Sequence, residues 1–308
     1  MLRDTIRFST NTSEVIVDDA PTQKDSIIPL NDKEIKKTTI LQKKLPQLIQ
    51  VNDSLIEYSS AKKIDDLWLK SMIQSPLNDS INYVLEDDEI YKAEQYHLDT
   101  NILKERLKRL DEKTPFHIEY NPHLEYVIKS YLKYRRGIFS TLIERARYFF
   151  PLFESVLDKY NIPLEMKYLA IVESALKPTA ESPVGAKGLW QFMYQTGKQF
   201  DLKVSSYVDE RSDPYKATEA ACQYLAQLYN IFNDWDLALA AYNSGPGNVS
   251  KAIRRSGGHT NYWNIRQYLP YETAGYVPAF YATLYIFEYA EEHQIKGKKS
   301  ALPYFKTD

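Results

Sequence analysis

Residues 163–191 read PLEMKYLAIVESALKPTAESPVGAKGLWQ, and the two prolines that bracket its first half set the frame for the rest. Pro163 suits the first turn of a helix, where its missing N–H costs nothing, and Pro178 disfavours α geometry in the residue before it. The sequence between them, LEMKYLAIVESALK, is therefore expected to be helical. A loop follows, ESPVGAKG, in which Gly185 and Gly188 allow backbone angles or close approaches that a side chain would block. From Leu189 to about Phe200 the pattern resumes as helix.

Outward from this segment the same periodicity recurs. Upstream, Ile138, Leu142, Ile143, Ala146, Phe149, Phe153, Val156, Leu157 and Tyr160 fall at spacings that place them on one helix face. Pro151 is expected to kink or split that run. Downstream, Asp213-Pro214 supplies an N-cap and a first-turn proline for a stripe running from Ala217 to Phe232. Short helices fit Trp235 to Tyr242, halted by Asn243-Ser244-Gly245-Pro246-Gly247, and Val249 to Arg255, halted by Gly257-Gly258. The last long helix fits about Tyr271 to Glu292, with Tyr276, Phe280, Leu284 and Phe287 on one face and a bend before Pro278. With no sustained strand alternation, the fold class is mainly α.

The N-terminal third reads differently. Residues 1–60 are polar and mixed in charge, a polar arm or tether with two short alternating stretches at Ile6–Phe8 and Val15–Val17. Residues 61–119 are expected to form a helical extension, signalled by Leu67, Leu69 and Ile73 and then by Leu103, Leu107 and Leu110, packing on the main helical domain at 120–295. Residues 296–308 read as a tail.

The chain has 39 Lys+Arg against 41 Asp+Glu among its 308 residues, a formal net charge of −2, so no overall field gathers nucleic acid. Cys222 is the lone cysteine and forms no internal disulfide. No stretch reaches the roughly 18 apolar residues of a membrane span, and the opening MLRDTIRFST lacks the apolar core of a secretory signal. Either the protein is cytosolic or its targeting segment is absent from this sequence, and any membrane anchoring is expected to need such a segment. The 25 tyrosines are an excess, and a flat ring with a hydroxyl suits sugars in a wet groove as well as core and groove walls.

The chemistry centres on Glu173. Its neighbours at helical spacing, Leu169, Ala170 and Leu176, are apolar, so its carboxylate is poorly solvated. Burial and the negative end of the helix dipole both raise its pKa, while Lys177 could oppose them by ion pairing.

Behind it come Glu173-Ser174, Ser182, Gly185-Ala186 with Gly188-Leu189-Trp190-Gln191, Ala241-Tyr242-Asn243 with Gly245-Pro246-Gly247, and Glu272-Thr273 with Gly275-Tyr276-Val277. On these ordered blocks the segment from about Ile162 to Val277 resembles the family 1 lytic transglycosylases, the soluble lytic transglycosylase domain. Residues 114–295 are most similar to the membrane-bound lytic murein transglycosylase D branch. The resemblance implies a goose-type, lysozyme-like helical domain gripping a glycan strand, with Glu173 as the single catalytic acid and base. It implies substrate-binding roles for Ser182, Gln191, Tyr242 and Asn243, and a Tyr276 hydroxyl near the catalytic carboxyl. Glu272 is expected to be structural. Trp190 stands where many relatives have methionine, which would alter sugar packing, and Ala274 stands where an arginine is frequent.

The implied reaction is non-hydrolytic cleavage of the bond between N-acetylmuramic acid and N-acetylglucosamine in peptidoglycan. Glu173 would protonate the glycosidic oxygen and then deprotonate the muramyl C6 hydroxyl, which closes on C1 to a 1,6-anhydro sugar. A lysozyme-type hydrolase is the alternative. It would need a second carboxylate, for which Asp209, Glu210 and Asp213 are the nearby candidates, although these are expected to cap the loop before Pro214. A degenerate peptidoglycan-binding protein is the third reading. His259 and His293 are not at metal-ligand spacing, the glycine pairs lack a phosphate loop's context, and Arg254 and Arg255 suit a solvated helix end, so neither cofactor nor metal is expected. The expected partner is the peptidoglycan glycan strand, not nucleic acid, met by a monomer exported to the periplasm or the outer-membrane-associated envelope.

Overall fold

The computed structural model describes residues 98–297. The arm read over 1–60, the extension up to residue 97 and the tail from residue 298 lie outside the described residues. Ten α-helices make up the described part, joined by short 3-10 turns and, among the described residues, by isolated β-bridges rather than strands. The mainly α fold class is observed.

Helices α1 (Thr100–Lys113), α2 (Pro122–Tyr134) and α3 (Arg136–Lys159) open the fold. Asp99 caps α1 by accepting from the Asn101 and Ile102 amides, and Asn121 caps α2 ahead of Pro122 at its first turn. Leu103, Leu107 and Leu110 of α1 are buried in the same apolar core as α2 and α3. Burying each such leucine contributes roughly 1.5–3 kcal/mol. Pro151 does not split α3, which runs unbroken for 24 residues. The proline removes one amide donor, but Phe149 and Phe153 on either side are buried, and their packing offsets that loss.

The segment between Pro163 and Pro178 is less regular than its periodicity predicts. It forms a 3-10 turn at Leu164–Tyr168 and a short α4 at Leu169–Ser174, which stops before Pro178 is reached. The helix expected from Leu189 is shortened to α5 (Tyr194–Gln199), because 187–192 is instead a tight turn. The Lys187 and Phe192 amides each donate to the other residue's carbonyl at 3.0 Å, with Gln191 in a left-handed conformation at φ 48°.

α6 (Pro214–Phe232) starts as the sequence predicts, with the Asp213 side chain accepting from the Lys216 amide. α7 (Trp235–Ser244), α8 (Pro246–Arg255) and α9 (Tyr262–Ile265) follow, capped at α7 by Asp234 and at α9 by Asn261. α10 (Tyr271–Glu288) packs against α2, α4 and α7 and is buried on every side from Thr273 to Ile286, not on one face as a single stripe implies. A helix apolar all round belongs at the centre of a bundle. Its C-terminal turn closes at Tyr289, short of the expected Glu292. No helix of the described residues is long and apolar enough to cross a membrane.

Candidate active site

Glu173 lies one residue from the end of α4, and the way this helix ends fixes where its carboxyl points. Ala175 and Leu176, both non-glycine, adopt left-handed φ values of 49° and 58°. Such residues cost on the order of 1–3 kcal/mol each and persist only where their surroundings determine them. Several bonds do so. The Ala175 amide donates to the Ile171 carbonyl at 2.9 Å, and the Arg145 guanidinium reaches from α3 to donate to the Ala175 carbonyl at 2.9 Å. Ser174 Oγ lies 2.9 Å from the carbonyls of both Ala170 and Leu189, so it ties α4 to the following loop.

The Glu173 carboxyl accepts a hydrogen bond from the Tyr276 hydroxyl of α10. Burial pushes its pKa from 4.5 up to about 7, and the Tyr276 bond, which favours the carboxylate, pulls the other way. Burial, followed by the proximity of Glu173, raises Tyr276 and Tyr242 well above the usual phenol range. Glu173, Tyr276 and Tyr242 therefore form one electrostatic group. Lys177 is itself held below its ordinary value by burial and by the nearby Arg145 charge.

Ser182 and Gln191 sit on the loop beside α4. Ser182 closes a turn in which its Oγ accepts from the Ala186 amide at 3.0 Å and its carbonyl accepts from the Gly185 amide at 2.9 Å. The Gln191 side-chain amide donates to the carbonyls of Ala180 at 3.1 Å and Gly188 at 2.9 Å. Gly188, at φ 86°, passes so close to the Arg211 backbone that a Cβ would lie 1.8 Å from its carbonyl oxygen. Only glycine permits that approach.

Tyr242 of α7 donates to the Trp190 carbonyl at 2.9 Å and packs its ring against Tyr224 at 5.2 Å. Asn243 is exposed, and its Oδ1 accepts from the Thr273 hydroxyl at 2.7 Å, which links α7 to α10. Trp190 does not meet solvent. It is fully buried, 5.2 Å from the Phe153 ring, and its indole N–H donates to the Thr218 hydroxyl at 2.9 Å, so the methionine-to-tryptophan difference bears on the core beneath the loop rather than on sugar packing. Ala274 is buried, and its carbonyl accepts from Tyr262 and from the Arg266 guanidinium, an arginine that reaches this turn from elsewhere in the chain. Glu272 is exposed in the first turn of α10, where an acid complements the helix dipole.

The acidic trio before α6 is engaged structurally. Asp209 holds the Arg211 guanidinium through both carboxyl oxygens, Glu210 accepts from the Lys203 amide at 2.8 Å and pairs with Lys216, and Asp213 caps α6. Among the described residues no group of three His, Cys, Asp or Glu side chains converges as a metal site. Sequence patterns pointed to neither Arg145, Thr273 nor Arg211. Thr273 stands in the quoted Glu272-Thr273 block but drew no role there, Arg145 and Arg211 lie in no motif, and each matters through a group that the fold brings to it.

Residues 151–265 match the family described as the Transglycosylase SLT domain. The membrane-bound lytic murein transglycosylase D of Escherichia coli K12 is 38% identical over 144 residues, which are 46% of this chain and 31% of that protein. The soluble lytic murein transglycosylase of the same organism is 36% identical over 115 residues, 35% of this chain and 18% of that protein. Among solved structures, the 70 kDa soluble lytic transglycosylase of Escherichia coli aligns over 87% of this chain and 45% of its own, with a TM-score of 0.45 and 20% identity. The chain thus spans about a third or less of the length of these curated relatives. Residues 151–265 match a transglycosylase SLT domain, and part of the chain is similar to lytic murein transglycosylases.

Proposed function

We propose that this chain cleaves the β-1,4 bond between N-acetylmuramic acid and N-acetylglucosamine in peptidoglycan without water, releasing 1,6-anhydro-muramyl products. The supporting observation is Glu173, a carboxyl inside the SLT-matched segment whose burial raises its pKa to about 7 while Tyr276 donates to it. At neutral pH such a group holds a proton in about half of the molecules and can give it to the glycosidic oxygen. The bond opens through an oxocarbenium-like state, leaving a Glu173 carboxylate. That carboxylate takes the proton of the muramyl C6 hydroxyl, whose oxygen closes on C1, and Glu173 is protonated again. The nucleophile belongs to the substrate, so its entropy of approach is small.

In this reading Tyr276 steadies the carboxylate between the two proton transfers, and Ser182, Gln191, Tyr242 and Asn243 line the glycan groove. The domain at 120–295 has the goose-lysozyme-like form, carries the reaction as a monomer, and works in the cell envelope on glycan strands. A hydrolytic mechanism finds less support, since Asp209, Glu210 and Asp213 are committed to Arg211, Lys203, Lys216 and the α6 cap.

The test is mass spectrometry of purified murein after digestion. Anhydro-muropeptides with no gain of water support the proposal, and exclusively reducing-end products would overturn it. Glu173→Gln should lower the rate by at least about 10²- to 10⁴-fold.

A further inference from the structure

Arg211 is buried at 7% exposure in a position where one side chain contacts three separate pieces of backbone or loop. Its Nε and one terminal nitrogen donate to the two Asp209 carboxyl oxygens at 2.9 and 2.8 Å. Its other terminal nitrogen donates to the Gly185 carbonyl at 2.9 Å and to the Phe192 carbonyl at 3.1 Å. The Arg211 backbone carbonyl occupies the space that a Gly188 side chain would need, and the arginine stem lies 3.3 Å from where a Cβ on Gly197 would be. Asp209 is further tied by Lys187 at 3.5 Å, and Lys187 lies 3.6 Å from Glu181.

The two carbonyls held by one nitrogen belong to different turns. Gly185 ends the Ser182 turn, which presents Val184 at 74% exposure. Phe192 follows Gln191 and precedes Met193 and Tyr194, which are 44% and 45% exposed. The planar fork of a guanidinium fixes such distances in a way that a lysine ammonium does not. Glu173 and Tyr276, by contrast, lie on α4 and α10, outside the Arg211 contacts.

We propose that Arg211, held by Asp209, is a positioning residue that sets the spacing between the Ser182–Gly185 and Gln191–Tyr194 walls, and so governs glycan binding rather than proton transfer. This rests on the transglycosylase reading for its substrate, although the loop geometry does not.

Arg211→Lys keeps the charge but loses the fork, and Asp209→Asn keeps the arginine but loosens its anchor. With un-cross-linked murein glycan strands as substrate, Arg211→Lys should lower kcat/KM by about 10²-fold, the scale of a misplaced binding group, mostly through KM. Asp209→Asn should show a smaller rise in KM. The alkaline limb of the pH profile should stay where it is in the parent protein. Hydrogen exchange, which needs no substrate, should quicken across 182–192 in both variants and remain unchanged in α4.

Unchanged exchange in that loop, or a kcat/KM within threefold of the parent for Arg211→Lys, overturns the proposal. A loss confined to kcat with a shifted alkaline limb also overturns it, by placing the effect on Glu173. If Arg211→Lys fails to fold, the Asp209→Asn exchange and KM data decide the matter alone. If the parent protein neither cleaves nor binds the strands, the transglycosylase reading fails, while the exchange result still judges the role of Arg211 in the loop.

Discussion

The Tyr276 hydroxyl on α10 donates to the Glu173 carboxyl on α4, across 103 positions of sequence. This bond favours the charged form of Glu173, against burial, which favours the neutral form. Tyr276→Phe removes the opposing influence, so the Glu173 pKa rises further. On the proposed mechanism the reactive form of the free enzyme is the protonated one, so the alkaline limb of kcat/KM should move to higher pH in Tyr276→Phe. A pH–rate profile with that limb unmoved or displaced to lower pH would contradict the assignment.

The raised pKa also has a cost in stability. A group whose folded pKa lies above its unfolded value contributes stability that is fully present below the unfolded pKa and lost as pH rises through the folded one. For Glu173 the window runs from 4.5 to about 7, which corresponds to about 3 kcal/mol. Glu173→Gln cannot ionise. Relative to the parent, it should therefore gain on the order of 3 kcal/mol between pH 4 and pH 8 in denaturant unfolding.

Gly185 and Gly188 have similar positive φ values of 83° and 86°, but a Cβ on Gly185 would meet nothing within 4 Å whereas one on Gly188 would strike the Arg211 carbonyl. Gly185→Ala should cost about 1–2 kcal/mol, the left-handed penalty alone. Gly188→Ala must also push two backbones apart and should cost well beyond that or prevent folding. Thermal unfolding of the pair checks the order, and equal losses would refute it.

Thr218→Val keeps the shape of the side chain while leaving the buried Trp190 N–H without the acceptor it has at 2.9 Å. The expected loss is about 1–3 kcal/mol in stability. Because Trp190 lies beneath the loop, KM for glycan should stay near the parent value in the same variant. A raised KM with unchanged stability would return Trp190 to the sugar-binding surface.

Local physics made much of this protein legible in its sequence. Helical spacing in 138–160, the Asp213-Pro214 start of α6 and the Gly-Pro-Gly break after α7 are each specified within a few residues, and so is the placement of Glu173 among apolar neighbours. Burial on all sides of α10, the left-handed end of α4 and the tight turn at 187–192 were decided elsewhere. They depend on partners distant in the chain: Arg145 at the Ala175 carbonyl, Arg211 at the Gly185 and Phe192 carbonyls, and Tyr276 at Glu173. Periodicity records which face of a helix avoids water. It cannot record which buried carbonyl a remote guanidinium will reach, because that contact exists only once the helices have packed.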